Sequence, residues 1–298
     1  MGSFQGHVLP GSFFLVFALH WTIQIWIRYF KSKYESSTYR NSATYPLACL
    51  CGCFKRYQIE GVIKILVASI GIFGEVTNSY MQGGRFVVYI GNKQHSTMYA
   101  PFIVSGIVDI LLHHKVRFVP KNSDYIALAL AFTVEGLLFK FHLFGRNAID
   151  IQIHTLLLYA IFCSALAILV QMRFPNNVLA GLTSAFFVLL QGTWFWQVAF
   201  ILYNPRRSGE RWSSEDHEHL MITTIMFGWH ALIILIVIFT IGAIVNVFYC
   251  RILGYRRETN IEEIDLENMN DRREFKRALL APQPGESDSE TDILLSSN

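Results

Sequence analysis

Four carboxylate or imidazole side chains lie in a mostly apolar stretch, VEGLLFKFHLFGRNAIDIQIHTLL, which runs from Val134 to Leu157. They are two carboxylates and two imidazoles: Glu135, His142, Asp150 and His154. Such groups can together hold a zinc ion, carry protons, or join helices by hydrogen bonds. Which chemistry applies depends on the elements that position the four side chains.

The composition indicates that these elements are membrane helices. Of the 298 residues, 52% are hydrophobic and 16% are charged, whereas a soluble domain is about 25% charged. Seven apolar blocks are long enough to cross a hydrocarbon core, which takes roughly 20 helical residues. We predict helices at about residues 8–30, 59–80, 96–114, 124–144, 149–172, 178–203 and 218–250. The fold class is therefore all-α, a polytopic seven-transmembrane-helix bundle of residues 1–255 in contact with the lipid bilayer, and no nucleic acid partner is expected.

Positive charges are divided unevenly between the two sides of such a bundle. The side of the C-terminus carries thirteen lysines and arginines near the helices, and the other side carries seven. Because cytosolic loops are enriched in Lys and Arg, we predict a lumenal or outside N-terminus and a cytosolic C-terminus. Residues 256–298 are charged and end in QPGESDSETDILLSSN, which predicts a disordered cytosolic tail.

The tail contains an acidic dileucine pattern, a sorting signal of the kind that clathrin adaptor complexes bind. Glu290 is separated by three residues from the pair Leu294 and Leu295. The pattern predicts residence in Golgi or trans-Golgi network, endosome and lysosome membranes. Cysteines beside the membrane on the same side are candidates for palmitoylation. These are Cys49, Cys51, Cys53 and Cys250.

Helical spacing predicts that the ionisable side chains converge on the lumenal side. Glu135 and His142 lie ~10.5 Å apart along one stripe of helix 4. Asp150 and His154, at i and i+4, share a face of helix 5, which is an antiparallel neighbour across a short connection. An ionised group at bilayer depth costs at least ~2.5–3.5 kcal/mol, which favours an inward-facing cluster. Its predicted members are Glu75, His95, Glu135, His142, Asp150, His154 and His230.

Three roles for this cluster stay open. It can be structural, with hydrogen bonds that hold helices together. It can bind zinc, which imidazole and carboxylate ligands suit. The candidate ligands are then His142, His154 and His230, with Asp150 or Glu135 as the fourth ligand or the base. It can also serve as a proton or solute pathway or a lumenal pH sensor, because histidine titrates near ~6.5. No HExxH or HxxxH signature accompanies the cluster, so an enzyme is the less favoured interpretation.

Five segments together suggest a family. They are GHVLPGSFF at 6–14, HSTMYAPFIVSGIVDIL at 95–111, VEGLLFKFHLFGRNAIDIQIH at 134–154, LLQGTWFWQVAFILYNP at 189–205 and DHEHLMITTIMFGWH at 216–230. As a set they resemble the transmembrane protein 45 family. The resemblance implies a seven-helix protein of Golgi and endolysosomal membranes with no settled activity and no catalytic residues. The predicted function is thus a non-enzymatic trafficking, scaffold or regulatory role. The alternatives are a zinc-dependent membrane hydrolase, a proton or solute pathway, or a pH sensor.

Overall fold

The computed structural model describes residues 3–45, 58–83, 90–204, 212 and 217–280, and these contain helices but no strand. The helices in this part of the chain are α1 (Phe4–Tyr34), α2 (Ile59–Gly83), α3 (Ile90–His113), α4 (Ser123–His142), α5 (Ala148–Arg173), α6 (Val178–Tyr203) and α7 (His217–Leu280). Each of the seven predicted apolar blocks therefore lies in one helix, and the all-α fold class is confirmed.

Among the described residues, six helices are long and apolar enough to cross a membrane. They are Phe4–Tyr34, Gly91–His113, Ser123–His142, Ala148–Arg173, Val178–Tyr203 and His217–Arg251. The chain is a multi-pass membrane protein. Helix α2 is not among the six, and it carries Glu60, Lys64 and Glu75. A seventh crossing by α2, and with it the opposite placement of the two termini, stays a prediction.

The chain divides into two compact units, residues 1–246 and 247–298. In the second unit α7 continues as a helix to Leu280, and the disordered cytosolic tail of residues 256–298 stays a prediction. A high density of charge argues against a packed core, but Glu, Arg and Leu in this segment are strong helix formers. Residues 281–298, with the sorting pattern, lie outside the described residues, as do Cys49, Cys51 and Cys53. Cys250 is described and exposed.

The first six helices pack as an arc in which α1 contacts α6, and α6, α5, α4, α3 and α2 follow as successive neighbours. Glycine permits the closest approaches. A Cβ at Gly11 would lie 2.9 Å from the carbonyl oxygen of Gly192, and one at Gly61 would lie 2.8 Å from that of Gly106. Small residues of this kind let membrane helices pack backbone to backbone. Helices α1 and α2 stand at the two ends of the arc and make few direct contacts with each other.

Candidate functional site

The turn between α4 and α5 positions the centre of the site. Helix α4 ends at His142, and Gly145 turns the chain with a φ of 78°, a conformation that glycine adopts without steric cost. Asn147 caps α5, because its side-chain oxygen accepts the backbone N–H of Asp150 at 2.9 Å. Asp150 thus lies in the first turn of α5, where the helix dipole stabilises a carboxylate.

Arg146, in this turn, links the two helices. Its guanidinium donates to Asp150 Oδ2 at 2.9 Å and to His142 Nε2 at 2.7 Å. Burial lowers the pKa of Arg146, but the hydrogen bond to Asp150 and the charge of that carboxylate leave the pKa above its usual value. Arg146 is therefore a permanent cation held between an imidazole and a carboxylate.

The contacts continue from His142 to helices α3 and α2. The rings of His142 and His95 lie 5.1 Å apart, centroid to centroid. His95 Nδ1 lies 3.2 Å from Glu75 Oε1. The other carboxylate oxygen of Glu75 accepts from Asn92 Nδ2 at 2.8 Å. These contacts bring together side chains of α2, α3 and α4 at one end of the bundle.

In the other direction the contacts run from Asp150 to α1. His154 Nδ1 lies 2.7 Å from Asp150 Oδ1 and 2.9 Å from the Asp150 carbonyl oxygen, which accepts its N–H. His154 Nε2 lies 3.4 Å from His7 Nε2, and His7 Nδ1 lies 3.0 Å from the carbonyl oxygen of Ser3. The resulting line of contacts, which we call the polar chain, comprises Glu75, His95, His142, Arg146, Asp150, His154 and His7.

Hydrogen-bond partners fix which nitrogen of His142 carries the proton. Arginine has donors and no acceptor, so His142 Nε2 must accept from Arg146 and bears no proton. The proton is then on Nδ1, which donates to Gln94 Oε1 at 2.8 Å. His142 is thus neutral, and both of its nitrogens are engaged by protein groups.

The same logic makes His7 and His154 a proton-sharing pair. The Nδ1 atom of each ring faces a backbone carbonyl oxygen, an acceptor, and therefore donates. Their Nε2 atoms face each other at 3.4 Å. Two unprotonated nitrogens cannot form a hydrogen bond with each other. This contact becomes a hydrogen bond only when one of the two Nε2 atoms gains an additional proton.

Two predicted cluster members lie apart from the polar chain. Glu135 is buried deeper on α4, where Gln191 Nε2 lies 3.0 and 3.1 Å from its two oxygens. Its distance from His142 along the helix, ~10.5 Å, keeps it out of reach. His230 packs its ring edge-on against Trp194, with centroids 5.4 Å apart. Trp194 is fixed by a hydrogen bond from its Nε1 to the carbonyl oxygen of Ile153 at 2.8 Å.

The predicted zinc ligands consequently have separate partners. His142 contacts Arg146, His154 contacts Asp150, and His230 contacts Trp194. Within the ranges that the structure describes, no group of three or more His, Cys, Asp or Glu side chains could hold a metal ion. The geometry therefore supports a hydrogen-bonding or proton-binding role for the cluster better than it supports a zinc site.

A second buried polar group lies nearer the start of α2. Lys64 Nζ donates to Asp109 Oδ2 at 2.7 Å, and both side chains are almost fully buried. One turn earlier, Glu60 accepts from Trp21 Nε1 at 2.7 Å and from the backbone N–H of Tyr45 at 2.6 Å. Burial raises the pKa of the Tyr45 hydroxyl well above its usual value.

Sequence reasoning missed His7, Arg146 and Gln191. His7 lies one turn inside the first apolar helix, and its polarity there was a signal for an inward-facing group. Arg146 was counted only as a loop charge, although it stands at i−4 from Asp150, a spacing that brings helical side chains together. Gln191 had no such local signal, because its partner Glu135 belongs to another helix.

The helices and the buried polar interior define a multi-pass membrane protein, and comparison with known proteins agrees with this class. A model of the "Family of unknown function (DUF716)" matches residues 122–243. The chain is similar to "Transmembrane epididymal protein 1" of Rattus norvegicus, 28% identical over 246 residues, which cover 78% of this chain and 77% of that protein. "Transmembrane epididymal protein 1A" of Mus musculus is 27% identical over 246 residues, which also cover 78% of this chain and 77% of that protein. "Transmembrane epididymal protein 1" of Homo sapiens is 27% identical over 191 residues, 61% of this chain and 69% of that protein.

The resemblance to the transmembrane protein 45 family is thereby corrected, since the matching family and relatives are different ones. Apolar helix segments draw on few residue types, so short segments distinguish membrane families poorly. The matched residues 122–243 include the centre of the polar chain, from His142 to His154.

Proposed function

We propose that this chain is a non-enzymatic, proton-responsive membrane protein of the Golgi, endosomes and lysosomes. In this proposal the polar chain exchanges hydrogen-bond partners when the lumen acidifies. The observation that carries it is the 2.7 Å contact between Arg146 Nη2 and His142 Nε2. This bond exists only while that nitrogen is unprotonated, so it is lost when His142 gains a proton.

Protonation of His142 can only weaken its contact with Arg146. Once His142 is protonated, both partners are cations and both are donors, so the contact becomes repulsive. Arg146 keeps Asp150 as its alternative partner at 2.9 Å. The expected response is that the guanidinium moves away from α4 and remains on α5.

Protonation strengthens some of the neighbouring contacts and weakens others, so the hydrogen bonds of the polar chain rearrange. Protonation strengthens His95 against Glu75 and His154 against Asp150, because each imidazolium then faces a carboxylate. A first proton between His7 and His154 completes their hydrogen bond, and a second one makes the two rings repel. A partly acidified compartment is therefore the condition in which these contacts change most.

The proposed topology places the polar chain on the lumenal side. It treats α2 as a seventh crossing, which gives the N-terminus to the lumen and the C-terminus to the cytosol. Support comes from the thirteen-to-seven division of Lys and Arg. The burial of Glu60 and Lys64 adds to this, because these two charged side chains of α2 face the bundle interior.

The proposed route to these compartments uses the C-terminal tail. Glu290, Leu294 and Leu295 would bind clathrin adaptor complexes from the cytosol, and palmitoyl groups on the predicted cysteines would add membrane anchoring. Changing Leu294 and Leu295 to Ala should move the protein to the cell surface, as seen by surface biotinylation. An unchanged surface fraction would exclude this signal, while a change of Leu266, which is exposed on α7, to Ala serves as the control.

A zinc-dependent hydrolase is the less supported alternative. The Nδ1 and Nε2 atoms of His142 are both engaged, and His230 lies against Trp194. Metal analysis of the purified chain tests this alternative, since a stoichiometric zinc content would favour it over the proposal.

The proton response is tested by His142→Gln, because a glutamine oxygen can accept from Arg146 at every pH. On acidification from about pH 7.5 to about pH 5, this variant should gain about 2–4 °C in melting temperature relative to wild type, which corresponds to about 1 kcal/mol. The exposed His114, changed to Gln, is the matched control and should show no such gain. Equal pH profiles for wild type and His142→Gln would contradict the proposal.

A further inference from the structure

A narrow cavity of about 90 Å³ lies inside the bundle between α1, α2, α3, α4 and α6. Its lining extends from His7 to Trp21 on α1 and from Lys64 to Glu75 on α2. At 1.5 Å per helical residue these stretches are roughly 15–20 Å long. Drug-sized molecules occupy compact pockets of ~300–1,000 Å³. A long and thin space instead matches one extended hydrocarbon chain.

The walls of the cavity are apolar over most of this length. Aromatic rings of α1, α3, α4 and α6 line it, among them Phe14, Phe102, Phe132 and Phe195. These four rings also contact one another, with centroids 5.3 to 5.9 Å apart in the contacting pairs. Such a surface stabilises a hydrocarbon chain by about 0.8 kcal/mol for each methylene group that is buried.

Helices α1 and α2 both line the cavity and make few direct contacts with each other. The two helices meet where Trp21 donates to Glu60 at 2.7 Å, and again where Gly6 lies beside Glu75. Between these points the cavity separates them. The outer surface of each helix is apolar in this interval, as the exposed side chains Val16 and Ile70 show.

Charges along the cavity favour a cationic head group. Two carboxylates line it, Glu75 and Glu135, and Glu135 is paired there with a neutral amide, that of Gln191. Lys64 also lines the cavity, but Asp109 neutralises it at 2.7 Å. The described contacts of the Glu135 carboxyl group include no cation, so an ammonium group with three donors would supply the counter-charge that its carboxylate lacks.

We propose that this cavity binds a single-chain lipid with a primary amine head group, which enters from the bilayer between α1 and α2. The chain lies along the aromatic wall, and the ammonium group contacts Glu135. This goes beyond the proposed function and does not depend on it, because Glu135 and the aromatic wall are not part of the polar chain.

The full chain in phosphatidylcholine vesicles tests the proposal with two photoactivatable probes. One is a long-chain primary amine, and the other is the carboxylic acid with the same chain. Wild type should be labelled by the amine at residues of α1 and α2, and about tenfold less by the acid, which corresponds to about 1.4 kcal/mol. Equal labelling by the acid would overturn the assignment of the head group.

Two substitutions on α2 separate the cavity from the surface. Ala68 lines the cavity and is buried, whereas its neighbour Ser69 is exposed. Ala68→Phe should fill the space and lower amine labelling about tenfold, while Ser69→Phe should leave it unchanged. Undiminished labelling of a folded Ala68→Phe protein would overturn the cavity as the site.

A third variant removes charge with little change of shape. Glu135→Gln should lower amine labelling several-fold and reduce the preference for the amine over the acid. This variant tests amine binding in the cavity even if Ala68→Phe fails to fold. Labelling of Glu135→Gln equal to wild type for both probes would overturn the role of this carboxylate. The pH response of melting that tests the polar chain should be unaffected in this variant, so the two proposals can fail separately.

Discussion

The two ends of the bundle interior hold charge in different ways. At one end, Lys64 and Asp109 form a direct ion pair of 2.7 Å, with 5% and 0% of their side chains exposed. At the other end, the polar chain joins seven side chains, four of them imidazoles, through contacts that depend on where protons are. The first is a fixed pair of opposite charges, and the second can exchange partners.

The difference shows how one membrane interior can combine rigidity with responsiveness. A buried ion pair has no alternative partner, so loss of either member leaves an uncompensated charge. In the polar chain, Arg146 and Asp150 each have two partners, so loss of one contact leaves another. Stability should therefore depend more on the ion pair, and pH dependence should come from the polar chain.

The largest expected effect comes from breaking the ion pair. Lys64→Met should lower the free energy of unfolding by about 3–5 kcal/mol, because Asp109 then stays buried without a counter-charge. The loss is measured at neutral pH by SDS titration in mixed micelles. The exposed Lys93, changed to Met, is the control.

Replacement of both partners sharpens this result. A Lys64→Met and Asp109→Leu double variant should recover most of the lost stability, since an apolar pair of similar volume often replaces a buried ion pair without loss. A double variant as unstable as Lys64→Met alone would mean that the pair has a role other than mutual neutralisation.

An intermediate effect is expected in the polar chain. Asp150→Asn should cost about 1.5–3 kcal/mol, the usual range for a hydrogen bond to a charged group. The variant loses the carboxylate that contacts both Arg146 and His154. Unfolding curves of wild type and variant test this, and a loss as large as that of Lys64→Met would make the two ends of the bundle alike.

The smallest effect is expected on the surface. Lys31 and Glu35 form an ion pair of 3.9 Å with more than half of each side chain exposed. Lys31→Met should change the free energy of unfolding by less than about 0.5 kcal/mol. A larger change would show that burial does not explain why the Lys64–Asp109 pair contributes more to stability than the Lys31–Glu35 pair.

Sequence spacing predicted the centre of the polar chain because its contacts are local. Asp150 and His154 are four residues apart on α5, and a short turn joins them to His142. These relations follow from helix geometry alone. His95 and Glu75 were also predicted, since polar groups at the same depth of neighbouring helices tend to meet.

The remaining members depended on helix rotation, which the sequence does not specify. His230 was expected in the cluster, but α7 is rotated so that its ring meets Trp194. Lys64 was not among the predicted cluster members, but α2 turns it towards Asp109 on α3. A hydropathy pattern locates apolar segments, whereas the packing of neighbouring helices decides which face of each is buried.

The most direct test of the proposed proton response is the coupling between His142 and Arg146. It is measured as a double-mutant cycle with His142→Leu, Arg146→Met and the double variant, by SDS titration at about pH 7.5 and about pH 5. At the higher pH the coupling should be favourable by about 1–2 kcal/mol, because an uncharged acceptor meets a cation. At the lower pH it should vanish or become unfavourable, because two cations meet. The same favourable coupling at both pH values would contradict the account.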